Sequence, residues 1–534
     1  MWDYIIVGAG SAGAVVANRL SADPDTSVLL IEAGGPADDM KFRVPALGAL
    51  NVIGNPVCDW MFMTEADPTR NDRVDMWSRG KALGGSSIIN GTIYVRGNRG
   101  DYDHWAALGN TGWDYASVRE CFRRLENDST GLSPSYGKGG PVYISKTRGA
   151  PKVAHTFLAA MEQMGVPGNA DYNGDQQFGA AITHVSQKRG WRWSTARAYL
   201  DPARARPNLT VRTGVLAHRV VFDASRRAVG VELEQDGKVT VERCRREVVL
   251  SASVFNTPKL LMLSGIGDPA QLAQHGIALV HANPNVGQNL HEHPSVPIMA
   301  NVSVRTSNVD MGWFMRSVHA ARYALFRSGP AAYVFPAIAF AKLRPQERFP
   351  DVQFHFGAYG FEITEKGLQM LDKPTVTMLV NVSRTRSRGH VRLRSANPAD
   401  PVAIQPNMLA DRADVDLLKE GLQFGRRLLR TPAFSKIFVA EHVPGEGVAS
   451  DDDVEAYVRQ TASPCYHACG TARMGIDGAA VVDPRLRVLG VQGLRVIDCS
   501  IIPQVPSGNT NAISMLIGEK GAEMILEDNS RKES

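Results

Sequence analysis

Residues 465–469 read Cys-Tyr-His-Ala-Cys and include the side chains of this chain most able to do chemistry. With an ordinary pKa near ~6.5, the imidazole of His467 can take up or release a proton at neutral pH. Two cysteines around a histidine, with His291 and His293 elsewhere, also suggest zinc. Alternate residues of one short segment cannot easily all face one ion, and the sequence has no second cysteine pair of this kind. We therefore predict no metal site, and the elements around His467 must decide whether it is catalytic or structural.

The first 35 residues follow the order of a dinucleotide-binding unit. An apolar strand at 3–7 leads into Gly-Ala-Gly-Ser-Ala-Gly at 8–13, and a helix at 14–20 follows. A second apolar strand at 27–31 ends in the acid Glu32. This order predicts a bound dinucleotide, and the motif alone does not choose between NAD and FAD.

Each glycine of this turn is required for a separate physical reason. Gly8 permits the tight turn, Gly10 lets a pyrophosphate approach the backbone, and Gly13 lets the helix pack on the strand. The pyrophosphate would lie at the helix N-terminus, where free N–H groups and the helix dipole favour an anion. Glu32 follows Gly13 by 19 positions, a suitable distance for a carboxylate that accepts from a ribose hydroxyl.

Length and composition are those of an ordinary globular enzyme. A chain of 534 residues can hold two or more domain-sized bodies. Its net charge of +5 is too mild to indicate nucleic acid, and it contains no apolar run of about 18 residues that would predict a transmembrane segment. The chain enters its first strand at once, which leaves no room for a signal peptide, and its six cysteines are scattered. These features predict a cytoplasmic protein.

Three further stretches carry structural signals. Residues 79–97 contain adjacent glycines and serines before an apolar segment, which favours a loop whose backbone lies against a flat ligand or a simple tight turn. Residues 247–253 read as a buried strand that leads to a helix with Pro258 in its first turn. Residues 352–356 alternate as a half-buried strand.

These stretches together resemble the glucose–methanol–choline (GMC) oxidoreductase family. The likeness runs in family order over nearly the whole chain, through the fingerprint, RGKALGGSSIINGTIYVRG at 79–97, NTPKLLMLSGIG at 256–267, NVGQNLHEHP at 285–294, SRGHVRLRS at 387–395, HACGTARMG at 467–475 and GLRVIDCSIIPQVPSGNTNAISMLIGEK at 493–520. Val254 stands where the family more often has a small residue.

The resemblance implies FAD rather than NAD, and an α/β fold with two domains. One is a Rossmann-like FAD-binding domain assembled from separated segments. The other is an α+β substrate-binding domain with a large antiparallel sheet. We place the FAD-binding domain at 1–150, 208–297 and 461–530, and the substrate-binding domain at 151–207 and 298–460.

The resemblance also implies the site residues. His467 matches the family's catalytic histidine, and either Asn509 or Asn511 matches its partner. The spacing to residues 518–520 favours Asn511, with Asn509 holding the turn. His291 and His293 are interpreted as structural. The residues expected to contact FAD are Gly8, Gly10, Ser11, Ala12, Gly13, Glu32, Ala33, Gly84, Ser87, Asn90, Gly91, Thr92, Ile93, Ala217, Asp498, Cys499, Asn509 and Ala512.

Some members of the family attach flavin through a histidine just after the glycine–serine loop. Ile89 occupies that position here and cannot form the bond, so we expect FAD to be bound non-covalently. In the implied chemistry, His467 accepts the hydroxyl proton of a primary alcohol. Asn511 holds the alcohol oxygen, and a hydride passes to flavin N5 to leave an aldehyde. O2 would then reoxidise the flavin.

The substrate prediction is an uncharged aromatic or aliphatic alcohol. It depends on substrate-domain aromatics that could line an apolar pocket, namely Trp313, Phe314, Tyr333, Phe335, Phe356, Tyr359 and Phe361. Choline is an alternative substrate, for which Glu362 is the candidate carboxylate. The sequence also leaves open a quinone-like acceptor in place of O2, a non-redox role as in the lyase and photodecarboxylase of the family, and an NAD-dependent dehydrogenase.

Overall fold

The computed structural model describes residues 1–364 and 367–533 of the chain. Its helices, in chain order, are α1 Ser11–Leu20, α2 Pro45–Asn51, α3 Arg99–Ala107, α4 Tyr115–Leu125, α5 Lys152–Gln163, α6 Asp201–Ala203, α7 Ser253–Leu263, α8 Pro269–Gln274, α9 Trp313–Phe326, α10 Arg412–Leu429, α11 Pro432–Ser435, α12 Asp451–Thr461 and α13 Asn511–Glu533. No helix among these described residues is both long and apolar enough to cross a bilayer.

Two large sheets organise the chain. Their strands are β1 Trp2–Val7, β2 Val28–Glu32, β3 Gly179–Ile182, β4 Leu209–Thr213, β5 Val215–Phe222, β6 Ala228–Gln235, β7 Lys238–Leu250, β8 Pro294–Val302, β9 Ala337–Ala341, β10 Val352–Gly357, β11 Thr375–Val382, β12 Phe438–Val443, β13 Ser463–Pro464 and β14 Leu494–Val496. The remaining strands form two-stranded sheets outside the two large ones. They are Phe62–Met63, Met76–Trp77, Glu126–Asn127, Val142–Tyr143, Ser145–Lys146, His184–Val185, Gln187–Lys188, Trp191–Arg192, Ile266–Gly267, His281–Ala282, Phe361–Thr364, Gly367–Met370, His390–Arg392 and Ala403–Gln405.

The first sheet has the strand order β4-β2-β1-β7-β6-β5, with β14 also paired to β7. β1 runs parallel to both β2 and β7, whereas β5, β6 and the start of β7 form an antiparallel extension. All five residues of β2 are buried, as expected for a parallel strand covered on both faces. α1 and α13 pack together beside this sheet, and a Cβ at Gly518 would come within 2.8 Å of the Ala12 carbonyl oxygen.

The second sheet is antiparallel, in the order β12-β8-β11-β10-β9-β3, with β13 paired to β8. Side chains alternate between its faces because the period of a strand is two. On β10, Phe354 and Phe356 enter the core under α5 and α10, while His355 faces a large cavity between the two sheets. The strand predicted at 352–356 is therefore present, and it is buried on both faces rather than half-buried.

The packing differs from the predicted domain boundaries in two places. β8 is one continuous strand, so the boundary at 297/298 falls within it. Tyr199 and Leu200, predicted to belong to the substrate-binding domain, lie in the core of the first sheet. The hydroxyl of Tyr199 donates to Glu519 of α13 at 2.9 Å.

α7 begins at Ser253, so Pro258 lies one turn later than the sequence predicted. A proline has no N–H to donate to the carbonyl four residues before it. That carbonyl, on Val254, instead accepts a hydrogen bond of 2.6 Å from the hydroxyl of Thr471. Thr471 thereby ties the helix to the segment that carries His467.

Candidate active site

A cavity of about 2000 Å³ runs between the two sheets. It is lined by Gly10 and Glu32 beside the first sheet, by His467 and Asn509, and by Tyr359, two residues after β10 of the second sheet. Ordinary ligand pockets measure about 300–1,000 Å³. The cavity is therefore large enough to hold a dinucleotide and a second, smaller molecule together.

The N-terminus of α1 forms the phosphate end of this cavity. Gly10 is the N-cap and provides no side chain to cap the helix. An added Cβ at Gly10 would meet only the Cα of Gly85, at 3.9 Å, so space remains above the turn. At Gly13 a Cβ would lie 2.0 Å from the carbonyl oxygen of Gly8, which explains the close packing of helix on strand. The open amides and the free space fit a pyrophosphate.

Glu32 ends β2 at the same end of the cavity. Its carboxylate accepts from the backbone N–H of Ala9 and of Gly34, both at 2.9 Å. Burial raises the pKa of Glu32 even though these bonds oppose the shift. A buried carboxylate aimed into the cavity beside the phosphate end fits the ribose contact that the spacing predicted.

Most of the residues predicted to contact the cofactor line this cavity. They are Gly8, Gly10, Ser11, Ala12, Glu32, Ala33, Asn90, Gly91, Ile93, Ala217, Asp498, Cys499 and Asn509. The remaining ones, Gly13, Gly84, Ser87, Thr92 and Ala512, are not among its lining residues. Gly13 and Ala512 lie within α1 and α13, and the other three belong to the glycine–serine loop and the segment after it: the hydroxyl of Ser87, for example, donates to the Gly84 carbonyl at 2.6 Å.

The glycine–serine loop lies directly on the first turn of α1. Gly84 donates its N–H to the carbonyl of Ala9 at 2.8 Å, and a Cβ at Gly85 would come within 2.7 Å of the Cα of Gly10. Both positions have positive φ, +95° at Gly84 and +51° at Gly85, where glycine is favoured. The loop then presents Ile89 and Asn90 to the cavity.

His467 is buried and faces the middle of the cavity. Tyr466, immediately before it, has a φ of +63°, a conformation that a non-glycine residue adopts only when its surroundings impose it. The backbone carbonyl of Tyr466 accepts from the guanidinium of Arg79 at 3.1 Å. Burial lowers the pKa of His467 well below its usual range, and the charges of neighbouring His293, His355 and Arg79 act in the same direction. The ring is neutral at pH 7.

The partner of His467 is Asn509, not Asn511 as the spacing favoured. Nδ2 of Asn509 lies 2.9 Å from Nε2 of His467. Asn511 is the first residue of α13, and its Oδ1 accepts from the hydroxyl of Ser11 at 2.8 Å. Asn509 is in the loop before that helix and reaches across to the histidine, whereas Asn511 joins the N-termini of α1 and α13.

His293 also contacts the candidate base, although the sequence indicated a structural role. Its Nδ1 lies 3.0 Å from Nδ1 of His467, and its Nε2 lies 3.0 Å from the carbonyl oxygen of Ser383. A carbonyl can only accept, so Nε2 of His293 carries a proton. Burial lowers the pKa of His293 to about 4, so its Nδ1 is an acceptor. Nδ1 of His467 must then be the donor.

This chain of bonds determines the tautomer of His467. Because its proton is on Nδ1, the lone pair is on Nε2, which faces Asn509. The amide of Asn509 is oriented in turn, since its Oδ1 accepts from Nε2 of Gln353 at 3.1 Å. Nε2 of His467 therefore accepts from Nδ2 of Asn509, and both side chains line the cavity.

Glu292 holds the backbone of both histidines. Its Oε1 accepts from the N–H of His467 at 2.7 Å and from the N–H of His293 at 2.8 Å. Burial raises the pKa of Glu292 to about 7, and the charge of Arg79 opposes that rise. Sequence reasoning missed Glu292, Gln353 and the direct contact of His293, because these residues meet His467 or Asn509 from distant positions in the chain.

The predicted aromatic residues divide into three groups. Tyr333, Phe335, Tyr359 and Phe361 line the cavity. Phe356 is in the second core, stacked on Phe157 with a centroid separation of 4.7 Å. Trp313 and Phe314, on α9, are exposed by 81% and 62% and do not line the pocket. In the described part of the chain, no three His, Cys, Asp or Glu side chains are grouped to hold a metal ion.

Comparison with known proteins decides the family. The N-terminal model of the GMC oxidoreductases matches residues 2–295, and the C-terminal model matches residues 385–518. The chain is a GMC oxidoreductase. The predicted family, the FAD cofactor and the assignment as an FAD-dependent alcohol oxidoreductase are confirmed.

Relatives match this GMC chain over nearly its whole length. It is 40% identical to an oxygen-dependent choline dehydrogenase of Brucella anthropi, over 98% of this chain and 95% of the relative. It is 39% identical to an alcohol dehydrogenase [acceptor] of Pseudomonas putida, over 98% of this chain and 96% of the relative.

Solved structures confirm the predicted fold class of this GMC chain. The crystal structure of pyridoxine 4-oxidase from Mesorbium loti superposes with a TM-score of 0.90 at 26% identity and covers 99% of both chains. A formate oxidase superposes with a TM-score of 0.90 at 28% identity and also covers 99% of both chains.

Proposed function

We propose that this protein oxidises an uncharged, apolar primary alcohol to its aldehyde, with His467 as the base and Asn509 as the residue that holds the alcohol oxygen. The observation that carries the proposal is the convergence of Nε2 of His467 and Nδ2 of Asn509, 2.9 Å apart, on the cavity that also holds the dinucleotide end. Bound FAD supplies the hydride acceptor.

The protein groups would act as follows. On binding, the alcohol hydroxyl would replace the hydrogen bond between Asn509 and His467: its oxygen would accept from Nδ2 of Asn509, and its proton would pass to Nε2 of His467. The charge that forms on the imidazole is shared with a neutral neighbour, because Nδ1 of His467 donates to His293 and His293 donates to the Ser383 carbonyl. Gln353 and Glu292 keep these groups in place, so little reorganisation accompanies proton transfer.

The lining of the cavity near His467 favours an uncharged substrate. β8 presents Ser295, Pro297 and Met299 to this space, and β11 adds Leu379. Because Pro297 and Leu379 are paired across the sheet, they form one continuous apolar row. None of these side chains can balance a cation.

Aromatic rings extend this apolar surface towards solvent. Phe335 lies 5.4 Å from the ring of His355 and 6.0 Å from Tyr359, and Tyr359 lies 6.1 Å from Phe361, as centroid distances. Aromatic or long aliphatic alcohols suit such a passage.

The carboxylates of the cavity give little support to choline. Glu362, the candidate predicted for a cation, is exposed, so water screens its charge. Asp310 already contacts His319 at 3.0 Å and pairs with Arg305. Although the Brucella relative is named for choline, the charge distribution favours a neutral alcohol.

Two finer features complete the proposal. Ile89 lines the cavity at the position where a histidine would link the flavin, so FAD is held without a covalent bond. O2 is the proposed acceptor, supported by the oxygen-dependent name of the Brucella relative and by the two oxidase structures.

The experiment is anaerobic reduction of the bound flavin, followed by absorbance. Benzyl alcohol and 1-decanol should bleach the flavin bands, whereas choline should not, and admitting air should restore them. Bleaching by choline alone would overturn the substrate class. If the flavin bands return only when a quinone dye is added, the acceptor is a quinone-like compound and not O2. If no alcohol bleaches the bands, a non-redox role is favoured.

A further inference from the structure

α9 is unusual among the helices because it buries almost nothing. In this helix, every residue of which the structure describes, Tyr323 is the one buried side chain. Trp313 is exposed by 81%, Phe314 by 62%, Leu325 by 75% and Phe326 by 63%. Large apolar side chains are normally buried on folding. A 14-residue helix that leaves several of them exposed therefore indicates a surface that binds a partner.

The two faces of α9 have different surroundings. Its inner face lines the cavity with side chains spaced by three and four residues, which are Arg316, His319, Ala320, Tyr323 and Ala324. Phe314, Val318, Ala321 and Leu325 have helical spacings of four, three and four, so they share the opposite face. All four are exposed. The helix thus forms a wall with the substrate cavity on one side and an apolar stripe on the other.

The charge around this helix is mainly positive. Residues 305–328 contain four arginines, Arg305, Arg316, Arg322 and Arg327, and one acid, Asp310, which pairs with Arg305 and His319. Arg316 and Arg322 are exposed, and Arg322 lies on the helix surface beside the apolar stripe. An exposed apolar stripe flanked by aromatic residues and arginines is the composition of a helix that lies in a bilayer interface.

The same surface continues beyond α9. Met40, Leu47 and Met311 line the cavity and are also exposed, by 52%, 40% and 41%, so they lie at its mouth. α2, which carries Leu47, contacts the turn at Pro330–Ala332, and this turn contacts α9. The apolar stripe and the cavity mouth are therefore neighbouring parts of one surface.

We propose that α9 docks this protein on an anionic lipid bilayer. Phe314, Val318 and Leu325 would enter the headgroup–acyl boundary, and Arg322 would contact lipid phosphates. Docking in this orientation places the cavity mouth at the lipid surface, where apolar alcohols concentrate. The docking is a binding property and does not depend on the proposed substrate.

A second copy of the chain is the other occupant that an apolar stripe could accept. The net positive charge disfavours it, because two α9 surfaces brought together would place Arg322 of one copy near Arg322 of the other. An anionic surface is complementary to the same residues. The charge of the segment thus decides between the two occupants.

The test is co-sedimentation of the FAD-loaded protein with vesicles, using pure phosphatidylcholine and phosphatidylcholine mixed with phosphatidylglycerol. Wild type should pellet with the anionic vesicles and much less with the neutral ones. The double variant Phe314→Ser/Leu325→Ser should lower the partition coefficient at least tenfold, and Arg322→Gln should lower it only on anionic vesicles. Val239→Ser, at a residue of β7 exposed by 52%, is the matched control and should bind as wild type does.

Flavin absorbance and activity with a soluble alcohol should be unchanged in the double variant, which shows that it folds. Absence of wild-type binding to anionic vesicles would overturn the proposal, as would equal binding by the double variant. Sedimentation velocity distinguishes the other occupant: a wild-type dimer that the double variant loses, with no vesicle binding, would assign the stripe to self-association.

Discussion

Nδ2 of Asn509 lies 2.9 Å from Nε2 of His467, while Oδ1 of the same amide accepts from Gln353 at 3.1 Å. The amide is therefore oriented by the second sheet and presented to a histidine carried by the segment after β13. The arrangement joins the two halves of the fold at the point where the alcohol would bind.

Asn509→Ala should slow flavin reduction by saturating alcohol about 10²-fold, because it removes a hydrogen-bond donor to the reacting oxygen. Asn511→Ala is the matched control. It removes the bond to Ser11 that joins two helix N-termini, and should leave the rate within a few-fold of wild type. Anaerobic stopped-flow absorbance measures both rates. A larger loss of rate in Asn511→Ala than in Asn509→Ala would assign the catalytic role to Asn511.

His293→Phe should lower kcat about 10-fold and leave the KM for the alcohol nearly unchanged. Phenylalanine keeps the ring volume but offers no acceptor to Nδ1 of His467, so the tautomer with an unprotonated Nε2 loses its support. Steady-state kinetics at several alcohol concentrations separates the two constants. A rise in KM with normal kcat would show that His293 shapes the cavity instead of orienting the base.

Glu32→Ala should yield protein with less bound FAD, since it removes the carboxylate at the ribose end and leaves the amides of Ala9 and Gly34 without their acceptor. The ratio of flavin to protein absorbance, followed by titration with FAD, measures the loss. Glu234→Ala on β6 provides the control, because that carboxylate is 40% exposed and pairs with His218. Full FAD occupancy in Glu32→Ala would remove Glu32 from cofactor binding.

Glu292→Gln should stabilise the protein more at alkaline than at acidic pH. The pKa of Glu292 rises from 4.5 unfolded to about 7 folded, so its fold-stabilising contribution is complete below pH 4.5 and is lost as pH rises through 7. The glutamine cannot ionise and avoids this loss, which amounts to about 2–3 kcal/mol between about pH 5 and about pH 8.

Thermal unfolding midpoints of holoenzyme at these two pH values test that expectation. Glu362→Gln, which makes the same substitution at an exposed position, is the matched control. A Glu292→Gln midpoint that follows wild type at both pH values would show that Glu292 is ionised in the folded protein throughout this range.

The nucleotide end of the site was predictable because local sterics dictate it. Gly13 must pack against the Gly8 carbonyl whatever the rest of the chain does, and Glu32 must end the strand next to it. These requirements involve only the first 35 residues of the chain. The strand–turn–helix–strand order therefore determines the local fold and, through it, the cofactor position that we propose.

The substrate end was less predictable because it depends on where helices begin and on distant contacts. Asn509 and Asn511 have the same side chain two positions apart, and only the start of α13 at Asn511 decides which one reaches His467. The contact of His293 with His467 joins positions 174 residues apart. No local pattern marks either relationship.

The most direct test is anaerobic reduction of the bound flavin by benzyl alcohol across about pH 5 to 9, in wild type and His467→Ala. Because burial keeps the pKa of His467 well below 6.5, the wild-type rate should stay high at alkaline pH and fall only on the acid side, as the base becomes protonated. His467→Ala should remain yellow, react roughly 10²–10⁴-fold more slowly and lose the acid limb. A variant that reduces its flavin within a few-fold of wild type, or that keeps the same acid limb, would contradict the assignment of His467 as the base.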